Sequence, residues 1–372
     1  MSIQNTIEEK WMRVALSLSR RNKGATWPNP HVGCLIVKDE QVIGRGWTAK
    51  SGRPHAETQA LLQAGENANG STAYVTLEPC AHIGHTKPCS EALINAKVKR
   101  VVISTRDLDP RVSGTGITML ENAGIQVTEG VMEADSCYEH SGFFNRIVTG
   151  RPQITLKLAS SLDGHIANEN NESKWITSIK SRKLTHLYRM YSDAVMIGAG
   201  TAELDDPALD VRHIKTNQQP ARIIIDSNLR TSFKSKIFKS MSHFKTFVCC
   251  LQNVKPNLVK KWESNGAKII KCKNTSDGKV NLKDALSKLG SLGFNNIFCE
   301  GGSTLATNLI YNDLVEELIL IKSGLLIGEN GKSLVGKFPE TPFLELPKLN
   351  LIETYQYGGD SVSIWSKTKQ EN

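Results

Sequence analysis

No run of about 18 consecutive apolar residues occurs in the 372-residue chain, so no membrane-spanning helix is expected. The first residues, Met1 to Thr6, lack the basic-then-apolar pattern of a secretion signal. The eight cysteines are unevenly spaced, two of them adjacent (Cys249, Cys250), which excludes a regular disulfide framework and points to reduced thiols in the cytoplasm. Positive charge exceeds negative by nine, yet the lysines and arginines are scattered. With aromatics at only 6%, no basic block interleaved with rings forms, so nucleic acid is not an expected partner. Phosphorylated small molecules suit such a surface. Internal repeats, low-complexity segments and a G-x-G-x-x-G fingerprint are also missing.

What the chain does contain is His55-Ala56-Glu57, then Pro79-Cys80, then Cys89. One imidazole and two thiols are a three-ligand zinc set that leaves the fourth tetrahedral position open for water. A zinc ion lowers the pKa of that water from about 15.7 to around 7. Glu57 follows the histidine closely enough to relay protons without being a ligand. H-x-E with P-C…C is the pattern of zinc deaminases acting on nucleobase amino groups, although eight residues, rather than two, separate these cysteines. The insert Ala81 to Pro88 is polar and turn-prone and is expected to line the substrate pocket.

Periodicity places these groups. A helix is expected from about Ile7 to Ser19, and a β-hairpin from Val32–Val37 and Val42–Trp47 around Lys38 to Gln41. His55 and Glu57 open a helical pattern, Thr72 to Leu77 reads as a strand leading to Cys80, and Cys89 opens a further helix. A strand at Arg100–Ser104 and helices at Thr115–Ala123 and Glu133–Phe144 close an α/β unit spanning 1–148. Thr149-Gly150-Arg151-Pro152 marks the boundary, and 149–372 reads as a second α/β domain. Its expected strands are Ile154–Ala159, Ala194–Ile197, Arg222–Ile225, Thr246–Cys250, Ala267–Lys271, Asn296–Cys299, Leu318–Ile327 and Val362–Trp365. Helices are expected at Ser181–Met190, Pro256–Ser264 and Leu282–Leu289. Two glycine turns, Gly198-Ala199-Gly200-Thr201 and Glu300-Gly301-Gly302-Ser303-Thr304, each follow a strand; the second precedes a helical pattern, the arrangement in which backbone N–H groups meet a phosphate.

Pro28-Asn29-Pro30-His31-Val32-Gly33, His55-Ala56-Glu57, Thr76-Leu77-Glu78-Pro79-Cys80 and Lys87-Pro88-Cys89 resemble the deaminase half of the bifunctional riboflavin-biosynthesis deaminase–reductases. Leu156 to Gly164, Lys174-Trp175-Ile176-Thr177-Ser178, Asp205-Asp206-Pro207-Ala208-Leu209 and Glu300-Gly301-Gly302 resemble the reductase half. The resemblance implies a cytidine-deaminase-like α/β/α sandwich followed by a dihydrofolate-reductase-like α/β domain. It implies deamination of 2,5-diamino-6-(5-phosphoribosylamino)pyrimidin-4-one, then NADPH reduction of the ribosyl group to ribityl. Zinc then falls on His55, Cys80 and Cys89, the proton relay on Glu57, and a pyrimidine contact on Asn29. NADPH contacts fall on Ala159, Trp175, Thr201, Asp205, Ser227 and the stretch Gly302, Ser303, Thr304, Leu305, Ala306, Thr307 and Asn308. Substrate contacts fall on Ser173, Arg189, Leu209, Arg212 and Glu300, both arginines being able to fork a phosphate. Lys157 and Glu300 stand at strand positions near the implied hydride-transfer site. Departures from the family pattern are His85 in the insert and Arg106-Asp107-Leu108-Asp109-Pro110.

Two other readings compete. One is a tRNA or nucleoside deaminase with an unrelated second domain. The other is a non-catalytic zinc- and nucleotide-binding module, with His82 or His85 closing the metal site. Oligomerisation with further copies is left open.

Overall fold

The computed structural model describes residues 3–82, 87–170, 172–173, 176–216 and 218–367. Contacts divide the chain into two compact units, Met1–Arg151 and Pro152–Asn372.

The first unit is built on five strands: β1 (Gly33–Lys38), β2 (Gln41–Trp47), β3 (Thr72–Val75), β4 (Arg100–Ile103) and β5 (Gln126–Thr128). Their order is β2-β1-β3-β4-β5, with β1 antiparallel to β2 and β3 and the last three strands parallel. The hairpin turns at Asp39 and Glu40, both with positive φ (48° and 57°), the conformation that matches the twist of the flanking strands. Five helices cover the sheet: α1 (Ile3–Ser19), α2 (Ala56–Ala64), α3 (Cys89–Asn95), α4 (Thr115–Asn122) and α5 (Glu133–Thr149). Alternation along β1 divides the core. Leu35 and Val37 meet Met12, Ala15 and Leu16 of α1. Cys34 and Ile36 meet Ala56, Ala60, Leu93 and Ile117 on the other face. Helix α5 runs five residues beyond its expected end and stops at Gly150, whose φ of 73° is the usual glycine C-cap.

Helix α2 lies unusually close to β2 because Gly44 and Gly46 have no side chains. A Cβ on Gly46 would stand 1.9 Å from the Ala56 carbonyl oxygen, and one on Gly44 2.2 Å from that of Ala60. Gly46→Ala therefore pushes α2, which carries His55 and Glu57, off the sheet. We expect a loss of about 1–3 kcal/mol in urea unfolding, with weakened zinc retention on dialysis.

Behind the same sheet His31 and His140 are both buried, ring centroids 5.4 Å apart. Burial depresses both imidazoles, His140 to about 4, where the unfolded chain titrates near 6.5. The unfolded state therefore binds more protons between these values, so stability is full above pH ~6.5 and lost as pH falls towards ~4. His140 alone accounts for about 3 kcal/mol of that loss. Urea midpoints between pH 4 and 7 should show the slope, and His140→Gln should reduce it.

The second unit holds a nine-stranded sheet in the order β11-β10-β9-β8-β12-β6-β13-β16-β15. Its strands are β6 (Gln153–Ser160), β8 (Ala194–Gly198), β9 (Ala221–Ile225), β10 (Thr246–Leu251), β11 (Ala267–Cys272), β12 (Asn296–Cys299), β13 (Glu317–Lys322), β15 (Asn350–Tyr357) and β16 (Asp360–Ser366). The seven from β11 to β13 are parallel, and β16 and β15 add an antiparallel edge. A two-stranded ribbon joins β7 (His165–Ala167) to β14 (Lys332–Ser333). The helices are α6 (Ile179–Met190), α7 (Ala199–Asp205), α8 (Lys236–Lys239), α9 (Pro256–Glu263), α10 (Leu282–Ser291) and α11 (Ser303–Tyr311).

One expected strand is corrected: Leu318–Ile327 ends at Lys322. Beyond it the backbone turns onto the Ser161–Gly164 loop, where Leu162 N–H donates to Leu325 O (2.7 Å) and Gly328 N–H to Asp163 (2.7 Å). Those bonds replace the ladder. Strands β5, β7, β14 and β15 were not expected; they are short, or, like β15, largely exposed on both faces.

Candidate active sites

In the first unit His55 is the N-cap residue of α2, with extended backbone (φ −70°, ψ 162°), and Glu57 lies in the first turn. Cys80 follows the exit from β3, and Cys89 opens α3. The three ligand atoms lie within 4.8 Å of one another. His55 Nδ1 is 3.2 Å from Cys89 Sγ and 3.7 Å from Cys80 Sγ. Hydrogen bonding from Cys89, helped by His55, holds the Cys80 thiol down at about 4. The shared proton on its partner pushes Cys89 up. This donor set, with all three atoms convergent and the Cys80 thiol held down, fits a tetrahedral zinc ion with one position left over. Glu57 is buried at 3% exposure, and burial raises its carboxyl above the usual range, towards the neutral pKa that suits an acid–base relay.

Cys80 is held from both sides. After it, Ser90 N–H and Oγ both donate to its carbonyl (3.2 and 3.0 Å). Before it, the buried Glu78 carboxylate accepts N–H bonds from Gly114 and Gly116 (3.0 Å each), Asp107 (3.3 Å) and Ile117 (3.4 Å). Glu78 thereby caps α4, which has no side-chain cap of its own. Nothing in the sequence around Glu78 marks it for this role. Its partners lie 29 to 39 residues away, and no local pattern announces them.

The Asn29 amide nitrogen donates to Gly52 O (2.9 Å) and lies 3.4 Å from His55 Nε2. It braces the histidine on the side away from the cysteines. Within the insert, Ile83 to Thr86, including His85, lie outside the described residues.

In the second unit a cavity of about 470 Å³ opens over the carboxyl ends of β8 and β12. It gathers Ala159, Ser173, Arg189, Thr201, Asp205, Leu209, Arg212, Glu300 and Gly302 to Leu305. An adjoining cavity of about 610 Å³ shares Gly198, Gly200, Thr304 and Leu305 with it and adds Ser227 and Asn308. Ala306 and Thr307 line neither; Ala306 is fully buried, and Thr307 Oγ1 donates to Ser303 O (2.6 Å). Trp175 lies outside the described residues. Gly302 gives α11 no side-chain cap, so the first-turn N–H groups at the cavity wall are open to an anion, and the glycines at 198 and 200 keep the floor bare. This cradle fits a dinucleotide.

Arg189 is not an open phosphate ligand. It is buried, it forks Glu300 (Nε–Oε1 2.5 Å, Nη2–Oε2 3.0 Å), and its Nη1 donates to Asp210 O (2.8 Å). Lys157 lies beside the pair, and burial lowers its ammonium below the ordinary range. Arg212, half-exposed and paired with Asp210, keeps more of its guanidinium at the cavity. The sequence reading passed over Arg182, Thr185 and His186, which line the same wall. With Arg189 they repeat at three- and four-residue intervals along α6, a polar stripe that helical periodicity can reveal.

Residues 5–105 match the cytidine and deoxycytidylate deaminase zinc-binding region, and residues 152–363 match the RibD C-terminal domain. The chain is 40% identical over 323 residues to the riboflavin biosynthesis protein RibD of Aquifex aeolicus, covering 87% of this chain and 88% of the relative. For the Escherichia coli RibD the values are 39% over 339 residues, 88% and 90%. The structure of Acinetobacter baumannii RibD superposes with a TM-score of 0.88 at 35% identity, over 98% of this chain and all of that one. A Thermotoga maritima diaminohydroxyphosphoribosylaminopyrimidine deaminase/5-amino-6-(5-phosphoribosylamino)uracil reductase superposes at 0.85 and 29%, over 98% and 99%. An unrelated second domain is thereby set aside.

Proposed function

Because the chain belongs to the RibD family of bifunctional riboflavin-biosynthesis deaminase–reductases, we propose that it converts the diaminopyrimidine phosphoribosyl substrate in two steps. The first exchanges the 2-amino group of 2,5-diamino-6-(5-phosphoribosylamino)pyrimidin-4-one for a carbonyl oxygen, releasing ammonia. The second reduces the ribosyl group of the product to ribityl with NADPH. The observation that carries this reading is the convergence of His55, Cys80 and Cys89 beside the buried Glu57.

His55, Cys80 and Cys89 would hold zinc, whose chemistry would be to make water nucleophilic at neutral pH. Glu57 takes the proton that water gives up and delivers it to the departing amino group. Asn29 orients His55, and Glu78 with Ser90 fixes the backbone around Cys80. In the second unit a hydride would come from bound NADPH. Ala159, Thr201, Asp205 and the turn from Gly302 to Leu305 cradle it, with Ser227 and Asn308 further along and Trp175 carried by resemblance. Ser173, Leu209 and Arg212 hold the substrate, Arg212 meeting its phosphate. The Glu300–Arg189 fork, with Lys157, sets the charge of the floor on which the ribosyl carbon lies. The substrate is a small molecule and the setting the cytoplasm, in keeping with eight unpaired cysteines.

Mass spectrometry of the product tests the reading, using zinc-loaded protein and freshly made diaminopyrimidine substrate. Amine-to-carbonyl exchange without NADPH, followed by a gain of two hydrogens with it, establishes both steps and their order. An unchanged mass from folded, zinc-bound protein refutes the reading.

A further inference from the structure

Beside the cavity at the fork lies the adjoining one, and apart from Ser227 its outer wall has no part in the chemistry described so far. That wall consists of two loops: Asp226 to Arg230, leaving β9, and Thr275 to Val280, leading to α10. They are joined by Val280 N–H donating to Ser227 Oγ (3.1 Å), and both line the cavity. Arg230 stands on the first loop and Lys279 on the second, with Lys283 in the first turn of α10. We propose that this cavity receives the adenosine end of NADPH, and that Arg230 with Lys279 binds its 2′-phosphate and so sets the preference for NADPH over NADH. The proposal rests on the reductase reading above.

In Rossmann-type dinucleotide folds an acidic side chain near a strand end accepts the ribose 2′-hydroxyl of NADH, whereas a nearby arginine accommodates a 2′-phosphate, and the same charge logic applies to this pocket although that fold's glycine fingerprint is missing here. Asp226 is buried and turned back on its own loop. One oxygen accepts Thr231 N–H (2.8 Å) and Oγ1–H (2.7 Å), and the other accepts Arg230 N–H (3.1 Å). Its charge is spent on fixing the loop that carries Arg230.

Both cations are held only by exposed pairs. Arg230 Nε reaches Glu203 (3.2 Å), using one of its five N–H donors, and Lys279 Nζ reaches Asp277 (2.8 Å). Both pairs are solvent-exposed at 59% for the cation, a setting in which ion pairs contribute little. A phosphate dianion, with three acceptor oxygens, forms stronger charge-assisted bonds to the same groups.

Calorimetric titration of the full chain with NADPH, NADH, 2′,5′-ADP and 5′-AMP decides the matter. The native protein should prefer each 2′-phosphorylated ligand over its counterpart. Arg230→Ala should weaken NADPH and 2′,5′-ADP by roughly tenfold to hundredfold, and Lys279→Ala by less. NADH and 5′-AMP should bind as before, which also shows that the variants are folded. Arg230→Gln, closer in volume, repeats the test if the alanine variant does not fold. Unaltered NADPH affinity in the double variant would refute the phosphate site while the reductase reading stands. A folded native chain that binds neither dinucleotide overturns both.

Discussion

Replacing Glu57 by glutamine is expected to suppress ammonia release by a factor of about 10² to 10⁴, the usual contribution of a positioned acid–base group. Glutamine preserves the volume of this buried side chain and cannot carry the proton. Because His55, Cys80 and Cys89 are untouched, zinc content by elemental analysis should stay at one ion per chain. NADPH oxidation with deaminated substrate should proceed at the native rate, since none of the residues lining the second unit's cavities changes. Loss of zinc in the variant, or undiminished ammonia release, would remove Glu57 from the role given to it.

Truncating Arg189 has the largest expected structural effect. Its guanidinium and the Glu300 carboxylate are both largely buried, at 10% and 14% side-chain exposure, and held in a fork. Removing one member of such a pair leaves an uncompensated charge and typically costs about 3–5 kcal/mol. Arg189→Ala should therefore lower the unfolding free energy of the second unit by that order and abolish reduction, while deamination continues. Replacing both partners by apolar residues (Arg189→Met with Glu300→Leu) should recover only part of the stability, because the isolated carboxylate is gone but the buried Lys157 beside it loses its counter-charge. Reduction should stay absent. A double variant that reduces substrate would show the fork to be structural only.

How far the sequence could be read depended on the range of the interactions. The hairpin at Lys38 to Gln41, the start of α2 at His55 and the start of α3 at Cys89 are set by local periodicity and by turn and helix-start residues, so they were legible. The zinc set was legible because order along the chain constrains three ligand types strongly. That Arg189 forks Glu300 is not legible in the sequence, because its partner lies 111 residues away. Glu78 escaped for the same reason, its four donors being distant in sequence and identical to any other backbone N–H. Strand β15 offers no apolar alternation, since it is largely exposed, and hydropathy cannot find an edge strand of that kind. The glycines of β2 could be counted in the sequence, but that a helix carbonyl would approach them is a property of packing alone.

Among the described residues each of the three sheets is built wholly from one side of residue 151. Cooperativity therefore has two natural domains of action in this chain. A heating curve need not be a single sigmoid, and the calorimetric and van't Hoff enthalpies need not agree. The Gly46, His140 and Arg189 substitutions should register in different parts of such a curve: the first two in the transition of the five-stranded unit, the third in that of the nine-stranded one. A midpoint quoted for the whole chain would average over events that respond to different residues, to different ligands and to different ranges of pH.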